Sequence, residues 1–599
     1  MTAFDTILRG GEVFDGTGAP ARRRDVGIRE GRVVAIDGDL QPSPGTRVID
    51  ARGKWVMPGF LDMHTHYDAE VLAAPSLSES VRHGVTTIAL GSCSLSTVHS
   101  TPLDCADLFS RVEAVPRAHV LSVLEREKTW TDAAGYVRGL EARPIGPNLA
   151  LFLGHSDLRA HVMGLSRSVE RGVRPTPAEM ARMETLLGDA LDAGFMGLST
   201  MTTRIDKIDG DRARSKPLPS TFAGFREYRR LNAILRRAGR VLQSAPNIEN
   251  PFNVTMFMEE SAGLFGRKPL KTTLLTAVDS KSNRLLGHIA GPIARIVNRF
   301  GHGNMRFQHL PTAFQLYADG IDFVVFEELG AGAAALHLAD EVERNALLKD
   351  EAYRRGFRRD YDEPFAPRLW HRDLHDAEIV ACPDASVVGK SFGQVADERG
   401  IHPVDAFLDL VVAHGRGVRW RTTLGNDRKK HLDRISADRG VMIGFADSGA
   451  HLRNMAFYNF GVRLLRRAKE AQRGAHPFMS VERAVHRLTG ELADWFGLDA
   501  GRLRVGDRAD IAIIDPAGLD AHVDDYHESA IPEFGGLSRM VNRNDAAVSA
   551  TLVAGNVVFE HGVVQRGERT GRVLRAGEAR GTIDPATVPS VGAAATASA

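Results

Sequence analysis

Cysteine is scarce: Cys93, Cys105 and Cys382 are the three in 599 residues. So small and odd a number excludes a disulfide framework for a chain of this length. Net charge is missing too, since 76 Lys and Arg against 75 Asp and Glu leave +1. No global field therefore draws in nucleic acid or an anionic membrane. The basic clusters at 21–24 and 463–467 read as solvated faces. No run of about 18 apolar residues occurs, and no basic-flanked apolar segment opens the chain. The expectation is a soluble, cytoplasmic protein with neither nucleic-acid nor membrane partner, acting on a small molecule, with homo-oligomerisation left open.

What is present is a change of texture along the chain. Residues 4–58 alternate apolar and polar side chains between Gly pairs and Asp-Gly, the pattern of antiparallel strands. The same texture returns within 500–575. Between them, short apolar stretches such as "VTTIALGSC", "NLALFLGHS", "MGLST", "RVLQSAP", "TTLLTAVDS", "DFVVFEELG" and "GVMIGFADSG" alternate with helical segments. One of these, "PAEMARMETLLGDALDAG", is apolar at helical spacing and stops at Gly. Such alternation predicts an α/β fold, a (β/α)8 TIM-type barrel with insertions over 59–499. The terminal blocks, 1–58 and 500–575, are each too small to bury a core and are expected to pair into one small β-sandwich. Residues 576–599 lack large apolar side chains and read as a disordered tail.

In such barrels chemistry sits where strands end. "GFLDMHTHYDAE", 59–70, places His64 and His66 at i and i+2 after an apolar strand, so both imidazoles project to one side. Imidazole nitrogen is a common zinc ligand, although a lone His-x-His is also found in ordinary polar loops. The next strand ends in Cys93 between small residues. A free cysteine is usually a small buried hydrophobe, but beside two histidines its thiolate makes a third ligand. Asp447, in "GVMIGFADSGAH", is placed to accept a proton from water and pass it to a leaving amine; its bland alternative is a helix cap.

The stretches "PGFLDMHTH", "GVTTIALGSCSLS", "GFMGLST", "MIGFADSGAHLRN" and "GRLRVGDRADIAIIDP" resemble the amidohydrolase superfamily, and within it the N-acyl-D-amino-acid deacylase branch. The resemblance runs from about residue 4 to 575. It implies a barrel flanked by a β-sandwich, a cysteine metal ligand in place of the carboxylated lysine of most relatives, and Asp447 as the last-strand aspartate. The branch also supplies histidines at the ends of strands five and six. Here the first of these falls on Ala245, and the second on Val278 or Asp279, so Asp279 is the expected substitute ligand through oxygen. Lys281 matches the branch's lysine. His155 matches a glycine-histidine patch, and Gln308, His309 and Leu310 replace a tyrosine-proline patch that holds substrate.

The implied activity is zinc-dependent hydrolysis of a C–N amide bond, with one tight zinc. His64, His66, Cys93 and Asp279 are its expected ligands. Asp447 is the expected proton shuttle, and His155, Lys281, His309 and Arg453 are expected to contact substrate. Two alternatives stand beside it: hydrolysis of a cyclic amide, imide or other acyl derivative, and a metal-depleted binding subunit.

Overall fold

The protein is described by a computed structural model covering residues 4–247, 251–264, 266–338, 340–364, 368–565 and 570–578. Its centre is a parallel sheet of eight strands: β1 (Phe60–Asp62), β2 (Val85–Leu90), β3 (Asn148–Gly154), β4 (Gly197–Met201), β5 (Val241–Ala245), β6 (Lys271–Leu274), β7 (Asn304–His309) and β8 (Val441–Ile443). They pair in sequence order. Every residue of β2, β3 and β4 is buried, as expected where helices cover a parallel sheet. Close approach needs a side chain missing at Gly59, where an added Cβ would lie 2.1 Å from the Thr86 side chain.

The sheet curls until its edges meet. Met63 N donates to Gly444 O at 2.9 Å, His66 N to Ser448 O at 2.8 Å and Asp447 N to His64 O at 3.1 Å. This is consistent with a TIM-type barrel, and it brings the ends of β1 and β8 together. Inside, Leu61, Ala89, Phe152 and Met442 pack in one apolar cluster with Trp495 and Phe496, which fills the end away from the site. The helical segment at 177–194 forms Pro177–Asp192, started by a Thr176–Glu179 capping box.

Both termini join one further sheet. Strands Thr6–Val13, Arg22–Arg29, Arg32–Asp37, Arg47–Asp50 and Trp55–Pro58 pair with Ile511–Ile514, Val548–Val553, Asn556–Glu560 and Val563–Val564. Among the described residues these pairings give one nine-stranded sheet to which both termini contribute; strand pairing by itself does not define the two facing layers of a sandwich. The tail expectation falls outside the described residues except at 576–578, where Ala576 is buried.

One expected barrel strand is placed differently. In "DFVVFEELG", Val324–Glu328 is a tight 3-10 turn, and Phe323 and Phe326 stack with Trp370 and Trp420. Aromatic burial, rather than a ladder, explains that apolar run. The seventh barrel strand is Asn304–His309, whose polar Asn, Arg and Gln disguise it. Between β7 and β8 the chain inserts helices and a three-stranded antiparallel sheet, Phe314–Asp319, Glu378–Ala381 and Arg419–Gly425.

Candidate metal centre and cavity

β1 delivers His64 and His66, and the loop after β2 delivers Cys93. Cys93 and Ser94 both lie in the left-handed region, with φ of 51° and 67°. Asp447 and His451, after β8, share this conformation at 57° and 47°. Such backbone is costly for residues other than glycine and persists where surrounding structure holds it. Here it turns Cys93, Asp447 and His451 toward one cavity, while the Ser94 hydroxyl bonds Ser156 and Ser220 behind them.

Both histidines are oriented by their Nδ1 atoms. His64 Nδ1 is 2.8 Å from Gln308 Oε1, and His66 Nδ1 is 3.0 Å from Glu113 Oε1. His64 Nδ1 donates to Gln308 and Glu113 faces His66 Nδ1 as an ion-pair partner, so both Nε2 atoms face inward. His64 Nε2 lies 3.3 Å from Cys93 Sγ and 3.6 Å from Asp447 Oδ1; His66 Nε2 lies 3.0 Å from the same oxygen. Ligand atoms of His64, His66 and Cys93 all fall within 4.8 Å of one another, and all three residues are buried. Two imidazole nitrogens, a sulfur and an adjacent carboxylate suit a borderline-soft dication such as zinc.

The electrostatics agree with a cation there. Burial and the neighbouring His66 hold His64 down to about 3, so it is neutral and able to ligate. Burial pushes the Cys93 thiol up to about 12, so a thiolate at neutral pH requires a metal's charge. Burial also opposes charge on His66 and on Asp447, yet His66 is held well above its ordinary value by Glu113 and Asp447, and Asp447 well below its own by His66, so a cation binding between them would displace the proton that His66 carries. Behind the pair, buried Asp62 accepts from Ser448 Oγ at 2.9 Å.

These groups floor a cavity of about 370 Å3. His66, Cys93, Glu113, Asp447 and His451 line its base, and its walls are apolar, including Met201, Val254, Leu275, Ile293, Phe307 and Phe445. Ala245 and Val278, two of the positions considered for the branch's missing histidines, line it as well.

Other expected site residues are not brought here. Asp279 turns away into ion pairs with Arg428 and Arg284. It groups instead with His288 and His431, where those guanidiniums oppose a cation. His155 is fully buried, 3.0 Å from Thr200 Oγ1 and 2.8 Å from Glu227 Oε1. His309 donates from Nδ1 to Ala277 O at 2.7 Å, and its Nε2 lies 3.1 Å from Ser436 Oγ. Lys281 pairs with Asp376 at 2.7 Å. Arg453 pairs with Asp319 at 2.9 Å and with Glu528 at 2.6 Å, facing a different groove. In each case a partner distant in sequence holds the polar head. Glu113, Gln308 and His451 are the additions that the fold supplies. Gln308 ends a strand and His451 follows Asp447 by one helical turn's spacing, whereas Glu113 carries no local signal.

A parallel barrel-type sheet with a His-x-His, Cys and Asp cluster at its strand ends defines a metal-site hydrolase architecture. The chain belongs to the amidohydrolase superfamily: the model of the Amidohydrolase family matches residues 47–237 and 463–559. An uncharacterized protein of Mycobacterium tuberculosis is 55% identical over 587 residues, 96% of each chain. The N-acyl-D-aspartate deacylase of Alcaligenes xylosoxydans is 37% identical over 198 residues, 33% of this chain and 36% of that protein. The structure of N-acyl-D-glutamate deacylase from Bordetella bronchiseptica, complexed with zinc and a phosphonate inhibitor, superposes with a TM-score of 0.61 at 22% identity. It covers 96% of this chain and all of that one. The fold is therefore that of these deacylases. No described helix is long and apolar enough to cross a membrane.

Proposed function

We propose that the protein is a zinc-dependent hydrolase of an N-acyl C–N bond, most like the N-acyl-D-amino-acid deacylases, with one tight zinc. The observation that carries this is the convergence of two Nδ1-anchored imidazoles, the Cys93 sulfur and the Asp447 carboxylate on the floor of one cavity. His64, His66 and Cys93 would hold the ion, with Asp447 beside it. A zinc ion bound there supplies an activated water and polarises the scissile carbonyl. Asp447 accepts the proton of the attacking water and returns it to the leaving nitrogen. Gln308 keeps the His64 imidazole in the tautomer that faces inward, and Glu113, paired with His66 at Nδ1, orients the second ring. The apolar walls exclude bulk water and hold the acyl or side-chain portion of the substrate. Ala245 and Val278, two of the positions considered for the missing histidines, support a single ion.

A second reading, hydrolysis of an uncharged cyclic amide or other neutral acyl derivative, is favoured by the cavity's charge. Its described lining carries Glu113, Asp206, Glu328 and Asp447, and its arginine, Arg368, is turned to the Glu363 carbonyl. The test is hydrolysis by zinc-loaded protein of paired N-acetyl amino acids, in both configurations, and of their neutral amides and a hydantoin. Turnover of the free acids in the D configuration supports the deacylase reading, and turnover confined to neutral compounds supports the second. Turnover of none, with zinc bound stoichiometrically, contradicts both.

A further inference from the structure

The helix Leu286–Phe300, here α1, wears apolar residues on the outside. Leu285 is 70% exposed, Ile296 54% and Phe300 69%, with Ile289 between them also exposed. The spacing 285, 289, 296, 300 puts them on one helical face. Leu264, also exposed, sits at the far end, where Gly263 N donates to Gly301 O at 2.8 Å. Apolar residues aligned on the outer face of one helix, as here, are the pattern of an amphipathic docking helix.

The stripe's surroundings are cationic although the whole chain is nearly neutral. The helix Lys429–Ala437, here α2, packs against α1: the His288 and His431 rings lie 5.0 Å apart, and Arg434 donates to His288. Across residues 279–300 and 427–438 there are eight Lys and Arg against four Asp. Arg299 and Lys430 have no carboxylate partner among the described residues, and Arg299 lies over the Phe300 ring.

We propose that α1 docks on an anionic lipid surface, with its stripe set into the headgroup boundary and the surrounding Lys and Arg against the lipid charges. A helix of fifteen residues is roughly 22 Å long and presents about 200–250 Å2 on one face. A stable dimer needs roughly 800 Å2 from each partner, so the stripe is too small to seat a second copy by itself. An interfacial helix has no such requirement, because apolar insertion and charge act together. Leu286, Ile289 and Ile293 of the same helix line the cavity above Cys93, so its mouth adjoins the stripe. On the hydrolase reading, an amphiphilic N-acyl substrate would enter from the lipid side, but the docking does not depend on that reading.

The test is co-sedimentation of the full chain with vesicles of phosphatidylglycerol and phosphatidylcholine, or of phosphatidylcholine alone, without substrate. Binding is expected to the anionic vesicles, to weaken as salt rises, and to fall about tenfold or more in Ile296→Glu/Phe300→Glu. These positions are exposed, so the double variant should keep the wild-type melting temperature. Failure to bind anionic vesicles, or equal binding by the variant, overturns the proposal. A wild-type dimer in light scattering that the same variant dissociates also overturns it and assigns the stripe to a second copy.

Discussion

Glu113 is the sharpest place to perturb the centre without touching a ligand atom. Its Oε1 lies 3.0 Å from His66 Nδ1, and both side chains are 2% exposed, so solvent screens the contact little. A hydrogen bond to a charged group contributes about 1.5–3 kcal/mol net. Independently, removing the partner behind a metal-bound histidine costs about 10–100-fold in metal affinity, and at roughly 1.4 kcal/mol per tenfold the two routes agree. Glu113→Gln keeps the shape and an acceptor oxygen, so the zinc affinity of that variant should fall roughly tenfold, at the low end. Glu113→Ala leaves Nδ1 without its acceptor, and the loss should approach about 100-fold. Competitive titration against a chromophoric chelator reads both constants, and circular dichroism checks that each variant folds. Zinc affinity within about twofold of wild type in both variants would show that Glu113 does not orient a ligand.

Asp447→Asn should leave zinc content and fold nearly intact while slowing turnover by about 10²–10⁴, some 3–5 kcal/mol in the barrier; normal single-turnover rates would remove it from proton transfer. Arg453→Ala, in contrast, should change KM by less than about twofold and stability by less than about 1 kcal/mol, because Asp319 and Glu528 already satisfy a part-exposed guanidinium. A large KM effect would return it to the substrate. Glu227 sets a pH dependence of stability. Burial would raise its carboxyl, but His155 and Arg159 outweigh it and hold the group down to about 2. Because the folded value is depressed from an ordinary 4.5, its contribution of about 3 kcal/mol is complete above pH 4.5 and lost as pH falls toward 2. Urea midpoints for Glu227→Gln should therefore lie below wild type at pH 7 and converge with it near pH 2; a constant gap would contradict this.

The grouping of His64, His66 and Cys93 with the aspartate after β8 was legible because each sits directly at the end of an apolar strand, where local pattern and cavity floor coincide. The eight-stranded parallel sheet was legible for the same reason in seven of its strands. Asn304–His309 was not, since its polar residues hid a buried strand. His155, Lys281, His309 and Arg453, where substrate contacts were expected, do not line the cavity, and for a different reason. Each was placed by position along the chain, while its direction is decided by partners far away in sequence, such as Glu227, Asp376, Ser436 and Asp319. Glu113 shows the converse. It lies in a loop with no motif, and only the closed sheet brings it to His66. Asp279 stood at a plausible offset after β6, but two arginines claim its carboxylate.

The most direct measurement is zinc stoichiometry by elemental analysis of the purified protein, wild type and Cys93→Ala side by side, with hydrolysis measured on the same samples. One zinc per wild-type chain is expected, and in Cys93→Ala a fall in zinc and activity together. A wild-type chain with no stoichiometric metal, or a Cys93→Ala chain that keeps its full zinc, would contradict this expectation.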